Sequence, residues 1–150
     1  GFSGIVIAIS SNPSGWTYAQ RFRTQNLLFF PLVTALIVFI LFGLSEMEVS
    51  IERVAASGSL LIIACLLTTF PRAFIVLKRS KAGNEQALNV PVFVSLLCIA
   101  VFDMGAQAAS VLGIFPGREF AFMYFGLVAL LLVAGVQFFV LVFSRPRDVG

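Results

Sequence analysis

Residues 27–44 read LLFFPLVTALIVFILFGL, 18 residues without a charge. At 1.5 Å per residue such a helix reaches about 27 Å, close to the roughly 30 Å hydrocarbon thickness of a bilayer. A helix buried in a water-soluble core shows a polar stripe at 3.6-residue spacing, and this stretch has none. It therefore reads as a transmembrane span rather than a core helix.

Three further stretches have the same character. From Val54 the chain runs VAASGSLLIIACLLTTF, 17 uncharged residues to Phe70, then crosses Pro71-Arg72 and continues through AFIVL to Leu77. The stretch from Val90 to Phe115 carries a single charge, Asp103, and Phe120–Phe143 carries none, with one amide at Gln137. Composition agrees. The 150 residues are 59% hydrophobic and 11% charged, with mean hydropathy +1.02, whereas soluble domains are about 25% charged. The expectation is an all-α integral membrane protein, with four transmembrane helices in an antiparallel up-down bundle, because short connections force sequential neighbours to run in opposite directions. Residues 1–26 form an N-terminal cytoplasmic or interfacial arm, 27–143 the transmembrane domain (spans about 27–44, 54–77, 90–115 and 120–143), and 144–150 a cytoplasmic tail. The apolar run at 1–10 is too short to cross a bilayer as a helix and does not read as a signal peptide. In the first connection, Ser45 and Glu48 have the spacing of a capping box that would open a short helix.

Charge sets the orientation. Arg21, Arg23, Arg72, Lys78, Arg79, Lys81, Arg145 and Arg147 fall on one side, against Arg53 and Arg118 on the other, eight to two. By the positive-inside rule both termini are expected in the cytoplasm, in a bacterial inner membrane or its equivalent. Arg72, Lys78, Arg79 and Lys81 then lie where they meet lipid headgroups. Three closely spaced basic residues without interleaved aromatics do not point to nucleic acid.

The composition also excludes chemistry. The chain has no histidine, which removes imidazole-based haem, zinc, iron and Ser-His-Asp sites. Cys65 and Cys98 stand 33 positions apart in apolar runs, so there is no CxxC pair, and buried apolar cysteine behaves as a small hydrophobe. Neither a GxGxxG nor a GxxxxGK[ST] loop occurs. No catalytic residue, metal or cofactor is expected, and the chain does not read as an enzyme.

Asp103 is the sharpest feature. It lies about 20 Å along the third span by helix rise, and an ionised carboxylate there costs roughly 2.5–3.5 kcal/mol on insertion scales. At 3.6 residues per turn, Gln107 and Ser110 fall within about 40° of it, giving one narrow polar face. Two readings stay open. Either the three residues hydrogen-bond to a neighbouring helix, or Asp103 holds a proton or cation in an outward-facing polar vestibule of a transporter or channel. Gln137 matches Arg72 in depth and is a candidate neighbour for it. Gly105, Ala109 and Gly113 repeat at four-residue spacing about 120° from the Asp103 face, a pattern that lets helix backbones approach closely in lipid. Ala55–Ser59 on the second span is the candidate intrachain match; an interchain contact is the alternative. Ample contact surface and scarce chemistry favour an accessory or assembly subunit of a larger membrane complex, or a homo-oligomer, with the bilayer and other membrane subunits as partners. A proton- or cation-coupled transporter is the alternative.

Overall fold

The computed structural model of the chain describes residues 18–81 and 90–143. Among these the chain is all-helical. Four helices follow in order: α1 Tyr18–Glu46, α2 Ile51–Lys81, α3 Val90–Val111 and α4 Glu119–Phe143. Each is long and apolar enough to cross a membrane. The beginning of the arm (1–17), residues 82–89 of the second connection and the tail (144–150) lie outside the described residues.

The element ends differ from those read in the sequence, for local reasons. α1 begins at Tyr18, so residues 18–26 belong to the helix and not to an arm. The reason is visible in what they face. Phe22, Arg23, Thr24 and Asn26 are all buried, whereas a hydropathy reading closes the span at the first polar residues. α1 also ends differently. Ser45 and Glu46 are its last turn, and no capping box opens a helix there. Glu48 takes a left-handed φ of 58°, with Glu48 N–H donating to Ser45 O at 3.2 Å and Val49 N–H to Leu44 O at 3.3 Å. That pair of bonds is a Schellman cap, which satisfies the last carbonyls of a helix. The third span closes at Val111 instead of Phe115 through the same device. Gly113 has φ 67°, its N–H donates to Ser110 O, and Ile114 N–H donates to Ala109 O, both at 3.0 Å. Gly113 is therefore the helix cap.

Two prolines lie inside helices, Pro31 in α1 and Pro71 in α2. Each removes a backbone donor, a loss that neighbouring helices and hydroxyls offset in membrane helices. Ahead of Pro71, Thr68 Oγ1 donates to Cys65 O at 2.7 Å and Thr69 Oγ1 to Leu66 O at 2.9 Å.

α2 and α4 pack against each other and against both other helices. The main core joins Phe30, Ile37 and Leu41 of α1 to Ile62 and Leu66 of α2 and to Met123, Leu127 and Leu130 of α4. A smaller cluster at the other end unites Phe22, Ala73, Val76 and Phe93, with the Phe22 and Phe93 rings 6.2 Å apart. In lipid, close packing rather than water exclusion holds helices together. Gly58 marks a close approach in this bundle: a Cβ there would lie 2.8 Å from Met123 Cγ and 3.2 Å from Leu41 Cδ1. Within the small cluster Ala55–Ser59, Gly58 is thus packed against α1 and α4.

Candidate functional site

The polar face of α3 turns inward. Asp103 is 7% exposed, Gln107 0% and Ser110 3%, and these residues with Phe93 are the buried positions of α3. Periodicity places the three on one side of the helix, and α4 receives them. Gln107 Nε2 donates to Asp103 Oδ1 at 2.9 Å and to the carbonyl oxygen of Phe122 at 2.7 Å. Ser110 Oγ approaches the carbonyl of Glu119 at 3.5 Å, a long contact. Helix carbonyls in a first turn are normally bonded only within their own helix, so the Gln107 amide ties the α4 backbone to the Asp103 carboxyl. The turn between the helices is braced as well: Phe115 and Phe122 stack with centroids 5.3 Å apart, and Gly117 N–H donates to Glu119 Oε1 at 3.1 Å.

Gly126 makes this arrangement possible, and sequence reading passed over it. A Cβ on Gly126 would overlap the Gln107 amide and sit 3.0 Å from Ile62 Cδ1. Only a residue without a side chain leaves room for the amide between α3, α4 and α2.

The network is incomplete. Asp103 Oδ2 and Gln107 Oε1 are buried and have no hydrogen-bond partner among the described residues. Asp103 borders two spaces. On the inside is a cavity of about 50 Å³ reaching to Phe22 and Asn26, whose polar lining residues are Asn26, Thr69 and Asp103. On the outside is a groove of about 380 Å³ between α3 and α4, walled by Phe102, Phe122 and Phe125. No basic side chain lines either space. Apart from Asp103, Asn26 and Thr69, the walls of both spaces are hydrocarbon.

Polar burial also occurs at the other end of the bundle. Arg23, counted in the sequence only as a loop charge, is 5% exposed and shares a small space with Gln137, Phe93 and Leu96. Arg72 is exposed, so the Arg72–Gln137 pairing does not form; helical phase turns Arg72 outward. Lys78 and Arg79 are exposed like Arg72, while Lys81 ends α2 and its side chain lies outside the described residues.

The small-residue face of α3 divides. Gly105 is exposed, Ala109 half-buried, and a Cβ on Gly105 would meet nothing within 4 Å. Cys98 is exposed and Cys65 buried, both as free thiols. Among the described residues no group of three or more Cys, Asp or Glu is placed to hold a metal ion. Compared with protein-family models, with curated proteins and with solved structures, the chain matches none of them.

Proposed function

We propose that the chain is an integral membrane protein that works through helix contacts, as an assembly subunit whose α3 receives a helix from another chain. One observation carries this reading: Gly105 is exposed with open space above it, while Gly58, in the small cluster offered as its match within the chain, packs on Leu41 and Met123 of the other helices. Gly58 thus faces α1 and α4, and no atom of the described chain covers Gly105 within 4 Å of its Cβ position. In lipid, a small-residue face admits a second backbone at close range. Cys98 is exposed one and a half to two turns before Gly105 and about 20° from it around the helix.

The bundle reads as antiparallel, with both termini cytoplasmic. Support comes from contacts that join the start of α1, the end of α2 and the start of α3 in one cluster. Basic residues gather at that end, as the positive-inside rule requires of a cytoplasmic face. A bacterial inner membrane, or an equivalent one, fits this arrangement.

Cys98 supplies the test. In a Cys65→Ser background, oxidative crosslinking in native membranes is expected to join Cys98 to a second copy or to another membrane protein. Gly105→Ile is expected to reduce the crosslinked fraction about tenfold, since a branched side chain blocks close approach. A chain that stays monomeric in mild detergent and forms no adduct overturns the reading.

A further inference from the structure

We propose that the groove between α3 and α4 binds a lipophilic organic cation, with Asp103 as its counter-ion. The groove holds about 380 Å³, within the usual range for small-molecule sites, roughly 300–1,000 Å³. Phe102 and Phe125 are 80% and 69% exposed, so its walls stand at the surface the helices present to lipid. Every side chain lining it other than Asp103 is hydrocarbon.

Charge complementarity selects the occupant. The carboxyl is more than nine-tenths buried. One oxygen accepts from Gln107, and the other has no partner among the described residues. A carboxylate at this depth must be neutralised, by a proton or by a cation. The protein brings no basic residue to either space beside it. A hard metal ion is a poor match, because calcium or magnesium takes about six or more oxygen ligands and the groove offers one carboxyl. A delocalised organic cation needs only one counter-charge, and its apolar body matches the Phe walls. Those ring faces also attract positive charge. Such a molecule partitions into lipid first and enters the groove from the side.

Tetraphenylphosphonium binding to the full chain in zwitterionic nanodiscs tests the site, with neutral triphenylphosphine oxide as the control. Saturable binding near one cation per chain is expected, without competition from the neutral compound. Asp103→Asn is expected to weaken it at least about tenfold and Asp103→Glu to retain it, since removing the charge removes both ion pairing and the bias toward cations. Equal binding by Asp103→Asn, or equal competition by the neutral compound, overturns the proposal. Should Asp103→Asn fail to fold, Phe125→Ala decides instead. Its side chain is mostly exposed, so the bundle tolerates the change, and about fivefold weaker binding is expected from the lost ring; unchanged binding overturns the proposal.

Discussion

Gly126 is the residue on which the buried network depends. Adding one methyl drives its Cβ into the Gln107 amide, which must leave Phe122 O, accepted at 2.7 Å, or push the helices apart. An orphaned buried polar group costs about 1–3 kcal/mol, and overpacking a tight core costs a similar amount, roughly 1–3 kcal/mol. Gly126→Ala is therefore expected to lower the thermal midpoint in detergent. Gly135→Ala serves as the control: no atom lies within 4 Å of its Cβ, so the higher helix propensity of alanine leaves stability equal or raised. The double variant Gly126→Ala/Gln107→Ala is expected to recover part of the loss, because the amide that clashes is gone. Purely additive effects would show that the two residues do not meet. Asp103, Gln107 and Ser110 were legible from spacing alone, because one helix fixes their common face. Gly126 was not legible, since its role is defined by a side chain arriving from another helix. Arg23 escaped for the opposite reason: a hydropathy reading takes any charge as outside the span, and here the charge is folded in.

At the scale of elements, the four helices were readable because each holds a long apolar stretch with few charges, the pattern of a chain that bonds its backbone internally. Their ends were less so. Apolar Leu112, Ile114 and Phe115 extend the hydropathy signal beyond the Gly113 cap, and SEME imitates a helix start where a helix stops. Both misreadings trace to caps whose signature is a left-handed φ, which composition does not reveal. At Gly113 the residue suits that conformation. At Glu48, φ 58° is imposed on a side chain that pays roughly 1–2 kcal/mol for it. Glu48→Gly is expected to raise stability by about 1 kcal/mol, read as a higher thermal midpoint and partly offset by the freer unfolded chain. Gly113→Ala is expected to lower it by a similar amount, about 1 kcal/mol. Were Glu48→Gly destabilising, the Glu48 side chain would have to be making contacts that outweigh its backbone strain.

At the scale of the molecule, orientation is a question of which charged end faces which compartment. Arg21, Arg23, Arg72, Lys78 and Arg79 belong to the segments that meet around Phe22, Ala73, Val76 and Phe93. Arg53 and Arg118 stand at the opposite end with Glu46, Glu48, Glu52 and Glu119. Acidic residues contribute little to topology, whereas Lys and Arg in short loops dominate it. Ser50 lies in the short link between α1 and α2 and is exposed, so a label there reads which side that link faces. In a background with Cys65 and Cys98 replaced by Ser, Ser50→Cys is expected to react with a membrane-impermeant maleimide added to intact cells. Replacing Arg72, Lys78, Arg79 and Lys81 together by Gln leaves four basic residues on the side proposed to be cytoplasmic against two on the other. A weakened bias admits inverted chains, so labelling at Ser50→Cys is expected to fall to a partial level while total protein is unchanged. Full labelling of the neutralised variant would mean that the bundle takes its orientation from something other than these four charges. No labelling of the starting protein would place the α1–α2 link in the cytoplasm and invert the whole assignment.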